Sequence, residues 1–236
     1  MKLTFNHERL LAVIAHPDDA EMLCAGTLAR AKQGGAAIAV CVLCRGDKGQ
    51  SSRAVADLAT VRWREMQAAA RLLGAKLYRG GFPDGQLYDG PAGRRKLVEI
   101  YRLFQPTLVL AHAPEDYHPD HRAASALAEA ASWFCASRGH KTPSAPLATP
   151  PALWWMDTIG MHEFSPDFYV DISPYTALKE RMLACHQSQL QRGQDADFSP
   201  LLDLMQLQCH TRGLQSHVAA AEAFRLPHRF KRLRAW

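Results

Sequence analysis

The pattern of hydrophobic and polar positions alternates between two kinds of segment. Short, nearly continuous apolar runs at residues 10–15, 36–44 and 108–111 read as core strands, and a further short strand is expected at 76–78. Between them lie longer amphipathic stretches at 20–33, about 55–73 and about 93–104, which read as helices. The boundaries carry matching signals. Gly34 and Gly35 stop the first helix, Gly74 ends the second, a loop with Pro83, Asp84 and Gly85 precedes the third, and Pro106 introduces the strand at 108–111. Another helix is expected to start near His121. Strands alternating with helices of this length predict an α/β fold, Rossmann-like, with a mainly parallel sheet, helices on both faces and right-handed crossovers.

The second half is less regular. Pro, Ser, Thr and Gly crowd residues 138–151, which read as a surface loop. Strands are expected at 152–156 and 168–172, Ser173 can cap a helix running to about 190, and 199–223 looks helical. With 236 residues, 47% hydrophobic and 22% charged, the chain suits a single domain over 1–236: a βα core at about 10–137, the loop, and a carboxyl-terminal part at 152–236.

Composition narrows the setting. No apolar run approaches the roughly 18 residues of a membrane span, and His7, Glu8 and Arg9 interrupt the amino terminus before a signal-type stretch develops, so the expected location is the cytoplasm. The six cysteines, at 24, 41, 44, 135, 185 and 209, lack the spacing of a disulfide scaffold and read as reduced thiols. Cys41 and Cys44 lie an odd number of residues apart on one strand, so they are expected on opposite faces, sharing no metal. Much of the net charge of +5 comes from Arg225, Arg229, Lys231, Arg232 and Arg234. No basic stripe interleaved with aromatics accompanies it, which sets nucleic acid aside as a partner.

Chemistry concentrates in two segments. Ala15-His16-Pro17-Asp18-Asp19-Ala20-Glu21 follows the first strand, where a dinucleotide-binding GxGxxG turn would otherwise stand, and Glu115-Asp116-Tyr117-His118-Pro119-Asp120-His121 follows the strand at 108–111. Ligands bind at the carboxyl ends of strands in such sheets. A catalytic zinc takes three His or carboxylate ligands and keeps a fourth position open, while a separate carboxylate receives the proton of water. These loops contain that set, with Asp18 and Asp19 able to divide the two carboxylate duties. The residues alone leave open which aspartate takes which duty, and whether His118 or His121 faces the metal. His112, His162, His186, His210 and His217 read as core, cap or surface residues, and Trp154 and Trp155 as core.

The two segments, AHPDDAE and HPDH, resemble the signature of the PIG-L/LmbE-like deacetylase family. Further matches are Arg62 and Glu65 in an RxxE helix, Phe82-Pro83-Asp84-Gly85, Val170-Asp171-Ile172-Ser173 before 184–189, and more weakly Ala221-Glu222-Ala223-Phe224. The resemblance implies a Rossmann-like fold and a Zn2+ held by His16, Asp19 and His121, with Fe2+, Co2+ or Mn2+ as other occupants of such a set. It implies Asp18 as general base, His118 as oxyanion stabiliser or acid, Asp120 as orienter of a neighbouring histidine, and Arg62 and Asp84 as holders of sugar hydroxyls. Some mycothiol-pathway members place a tyrosine where this chain has Asp116, with Tyr117 one position off, which suggests the branch of bacillithiol-pathway and chitobiose-type deacetylases. The implied reaction is removal of an N-acetyl group from an N-acetylglucosamine-type amino sugar or its conjugate by zinc-bound water. A larger amide as substrate, and a metal-binding protein without turnover, are the competing expectations. Association of copies through the apolar and basic carboxyl-terminal part is left open.

Overall fold

The computed structural model describes residues 4–195 and 200–227. Its frame is one sheet ordered β3-β2-β1-β4-β5-β7-β6. The strands are β1 Arg9–Ile14, β2 Ala37–Cys44, β3 Lys76–Phe82, β4 Leu108–Ala111, β5 Ala152–Met156, β6 Phe168–Asp171 and β7 Ala221–Arg225. β1 to β5 pair in parallel, and β7 lies antiparallel between β5 and β6, so six strands share one direction. The helices are α1 Asp19–Leu23, α2 Ala25–Gln33, α3 Leu58–Leu73, α4 Pro91–Phe104, α5 Pro119–Phe134, α6 Thr176–Leu183, α7 Gln187–Leu190 and α8 Leu201–Gln215. This is the Rossmann-like α/β architecture that the alternation predicted. No helix among the described residues is long and apolar enough to cross a membrane.

After Arg9, β1 is apolar to its end because both of its faces are covered. Leu10, Ala12 and Ile14 belong to the core beneath α2, α3, α6 and α8, whereas Leu11, Val13 and Ala15 belong to the core beneath α4 and α5. Each such Leu or Ile contributes about 1.5–3 kcal/mol relative to an exposed one. The chain proceeds from β1 to β2 and β3 on one side and then returns to β4 and β5 on the other. That reversal opens a crevice at the carboxyl ends of β1 and β4, which is where such sheets bind ligands.

Several expectations need correction. The helix expected at 20–33 is two helices, broken at Cys24 (φ −149°, ψ 3°). The second starts there because the Glu222 carboxylate, arriving from β7, accepts the N–H groups of Gly26 at 2.9 Å and Thr27 at 2.7 Å. Gly26 is required at this crossing, since a Cβ would stand 2.7 Å from Ile172 Cβ. The third strand runs on to Phe82, and α3 begins at Leu58 after Asp57 in the left-handed region. The helix expected from Ser173 to 190 is a 3-10 turn at Ser173–Tyr175 followed by α6 and α7.

The helix expected at 199–223 ends at Gln215, and Ala221–Arg225 instead forms β7 inside the sheet. Alanine and glutamate are weak strand formers, and pairing with β5 and β6 overrides that preference. Cys41 and Cys44 do not face opposite ways. A register shift between Val42 and Cys44 turns both into the core beneath α4 and α5. All six cysteines are free thiols. The basic carboxyl-terminal residues beyond Arg225, and the expected helix start at 199, lie outside the described residues.

Candidate metal centre and active site

Two strand-to-helix turns build the site. After β1 the chain turns through His16 and Pro17 into α1, and Asp19 closes the turn by accepting the His16 N–H through Oδ2 at 2.7 Å. Asp18 takes a φ of 102°, which side-chain-bearing residues rarely adopt and which costs about 1–3 kcal/mol. After β4 the chain reaches His118, the N-cap of α5, followed by Pro119 at the first helical position. His118 Nδ1 accepts the Asp120 N–H at 3.1 Å, and Asp116 Oδ1 accepts the His118 N–H at 3.0 Å.

These turns bring His16, Asp19 and His121 together. His16 Nδ1 lies 3.3 Å from His121 Nε2, His121 Nε2 lies 3.4 Å from Asp19 Oδ1, and Asp19 Oδ2 lies 3.7 Å from His16 Nδ1. Ligands about 2.1 Å from a tetrahedral ion stand about 3.4 Å from one another, which matches the His16–His121 and His121–Asp19 Oδ1 separations, while His16 meets Asp19 through its other oxygen; the donor types suit a divalent cation. Three overlapping ion-sized groups share members with this triangle: His16, His118 and His121; Asp19, His112 and His121; and His16, Cys44 and Asp120.

Carboxylates stand behind both histidines. Asp120 Oδ2 meets His16 Nε2 at 3.1 Å and accepts the Gly85 N–H at 2.8 Å, so the neighbour that Asp120 orients is His16. Asp116 Oδ1 meets His121 Nδ1 at 3.0 Å. Each ring is thereby held with its other nitrogen toward the triangle. Burial alone would lower the pKa of both rings, but bonds to Asp120 and Asp19 raise His16 to about 9, and the charge of Asp19 with a bond to Asp116 raises His121 to about 10. Asp19 moves the opposite way. Burial opposes its charge, yet His121, His112 and His16 hold it well below the usual carboxylate range.

Asp18 differs from its neighbour. Burial pushes its carboxyl pKa up, with the Arg62 guanidinium the main opposing influence. Arg62 Nη2 donates to Asp18 Oδ2 at 2.9 Å and also to the Pro17 carbonyl. The close seat of Arg62 needs Gly46, which has φ +73° and whose Cβ would approach the guanidinium at 2.9 Å. Arg62 therefore contacts the candidate base directly rather than pairing with Glu65, whose carboxylate binds Ser188 at 2.8 and 2.6 Å. The Asp84 oxygens accept the Gly46 N–H at 2.7 Å and the Lys48 N–H at 3.0 Å, so this carboxylate shapes the 45–49 loop at the pocket wall. Burial lowers the pKa of His118, leaving a neutral ring.

All eight residues singled out in the sequence line one pocket of about 480 Å³, together with Lys48, Tyr117, Gln189 and Arg192. Tyr117 is exposed at its rim, edge-on to His118 and His121.

The remaining histidines fall at the surface and in the core, as expected, but the two core rings reach carboxylates of the first loop segment. His162, His210 and His217 are exposed, but His112 is fully buried with Nε2 3.2 Å from Asp19 Oδ2, and His186 is fully buried 3.5 Å from Glu21. Asp116, which stands at a tyrosine position of some relatives, is the carboxylate behind His121. Its place five residues before His121 was the available signal for a carboxylate reaching back along the turn into α5.

Comparison with known proteins matches residues 11–132 to the family model described as PIG-L: GlcNAc-PI de-N-acetylase. Diacetylchitobiose deacetylase of Thermococcus kodakarensis is 28% identical over 189 residues, covering 77% of this chain and 70% of that protein. A 4-oxalmesaconate hydratase of Pseudomonas putida is also 28% identical, over 188 residues, covering 76% of this chain and 73% of that protein. The solved structure of a conserved protein from Thermus thermophilus superposes with a TM-score of 0.82 at 33% identity, covering 96% of this chain and 97% of that one. The match spans both loops of the site and the sheet between them, and the chain belongs to the PIG-L family of deacetylases.

Proposed function

We propose that the chain is a divalent-metal-dependent N-deacetylase acting on an N-acetylglucosamine-type amino sugar or its conjugate. Family membership and the likeness to diacetylchitobiose deacetylase support the substrate class. The observation that carries the reading is the convergence of His16, Asp19 and His121 beside a separate, largely shielded carboxylate, Asp18. A structural ion would be closed by four protein ligands and has no use for such a neighbour.

His16, Asp19 and His121 would hold the ion, and two imidazoles with one carboxylate suit Zn2+ while also accepting Fe2+, Co2+ or Mn2+. When bound, the ion supplies positive charge that polarises the acetamide carbonyl and acidifies water. Asp18 takes the proton of the attacking water as oxygen bonds to the acyl carbon. Its raised pKa lets it hold that proton and then return it to the leaving nitrogen as the C–N bond breaks. Arg62 keeps the carboxylate aimed. His118, neutral and accepting at Nδ1, carries its proton on Nε2 and offers it to the carbonyl oxygen as negative charge develops there. Acetate and the free amino sugar leave.

The likeness to a hydratase favours one second reading, addition of water to a double bond by the same residues. Both readings are separated by assaying acetate release from a panel of N-acetylglucosamine derivatives and larger amides alongside hydration of unsaturated carboxylates, with the metal content measured. Asp18→Asn is expected to lower acetate release by about 10²–10⁴-fold with the bound metal retained. Full activity in that variant removes Asp18 from the role of base.

A further inference from the structure

His112 has no part in the chemistry above, yet it sits fully buried one residue past β4 and touches the site from beneath. Its Nε2 stands 3.2 Å from Asp19 Oδ2 and 3.1 Å from the Ala15 nitrogen. Its face stacks on the His121 ring, with centroids 4.0 Å apart and planes inclined by 19°. Its Nδ1 faces Asp116 Oδ2 at 3.9 Å, and Asp116 is the partner of His121 Nδ1. One imidazole thus meets Asp19 by its edge, His121 by its face, and the carboxylate that orients His121.

We propose that His112 is a positioning residue that holds the Asp19 carboxylate and the His121 ring in the arrangement that lets both serve one divalent ion. The inference rests on the assignment of Asp19 and His121 as ligands. The His16 N–H already binds Asp19 Oδ2, and His112 closes on the same oxygen, which leaves Oδ1 turned to His121 Nε2 at 3.4 Å. The Nε2-protonated tautomer is the one that serves this purpose: it donates to Asp19 Oδ2 and gives up the Ala15 N–H, whereas a proton on Nδ1 leaves Nε2 to the Ala15 N–H. Without the ring, His121 loses the surface against which it lies flat. Asp19 Oδ2 is then freer to join Oδ1 on the ion, which would fill the coordination position that a hydrolase must leave open.

The test uses the full chain, stripped of metal and titrated with Zn2+ against a chromophoric chelator and with Co2+ by its visible absorption. His112→Phe keeps a flat ring without nitrogens, His112→Leu removes both, and His112→Gln restores a side-chain N–H near the position of Nε2. Zn2+ binding is expected to weaken by about 10–100-fold in the Phe and Leu variants, with partial recovery in the Gln variant. The Co2+ bands are expected to weaken toward those of a higher-coordinate ion, and kcat to fall with little change in KM. If the Phe variant does not fold, the Leu variant is read the same way. Zn2+ affinity and Co2+ spectrum unchanged from the unsubstituted protein in either folded variant overturn the role of His112 alone. An unsubstituted protein that binds neither ion overturns the ligand assignment as well.

Discussion

At the scale of single residues, the adjacent pair Asp18 and Asp19 shows how one turn gives two carboxylates different tasks. Asp19 is buried, faces three imidazoles and is kept ionised, whereas Asp18 keeps a small exposed face, meets one guanidinium and is pushed toward protonation. The left-handed backbone at Asp18 turns consecutive side chains into these different surroundings. Arg62 then becomes a control on the base rather than a simple substrate contact. Burial raises the Asp18 pKa and Arg62 lowers it, so Arg62→Gln leaves burial less opposed and the pKa rises further. Because a general base works when deprotonated, the acid limb of the kcat/KM profile of Arg62→Gln is expected to move to higher pH. An acid limb that stays in place would show that Asp18 does not set it.

At the scale of elements, the sheet and the helices are held in register by a buried ion pair outside the pocket. Glu222 on β7 binds Lys179 of α6 at 2.6 Å while capping the first N–H groups of α2. α2 follows directly from α1, whose first residue is Asp19, so this contact fixes the frame on which the first turn of the site rests. Lys179 is 1% exposed, and Glu222→Ala leaves its ammonium buried without a carboxylate partner. The expected cost is about 3–5 kcal/mol, measured as a lower midpoint of urea unfolding at unchanged slope. The double change Glu222→Leu with Lys179→Met is expected to recover part of it, since two apolar groups of similar size need no pairing.

At the scale of the whole molecule, the pocket lies where the strand order reverses, and folding, protonation and metal binding are linked there. Burial alone would lower His16 and His121, yet their carboxylate partners raise them to about 9 and about 10 from 6.5. In the metal-free protein, that stabilisation is complete below about 6.5, declines as the pH rises through the folded-state values, and is gone above them. Metal binding needs both rings neutral, so at neutral pH it is expected to release protons, and affinity is expected to increase with pH across this interval. Calorimetric titration in buffers of different ionisation heat reads the release directly; binding heats independent of the buffer would contradict it. Metal removal is also expected to lower the melting temperature, because an ion that binds only the folded chain stabilises it by mass action.

The sequence by itself determined the alternation of strands and helices through Phe134 and the two loops of chemistry, because both are written locally. A continuous apolar run at 10–15 has no stable place except inside a covered sheet, and His-Pro-Asp-Asp after such a run can only lie at a strand end. Tertiary structure alone decided three other matters. It broke the helix at Cys24, since the cap comes from Glu222 nearly two hundred residues away. It made Ala221–Arg225 a strand, since pairing with β5 and β6 outweighs local preference. It also placed His112 beneath Asp19 and His121, joining two separate loops through contacts that no spacing in the sequence encodes.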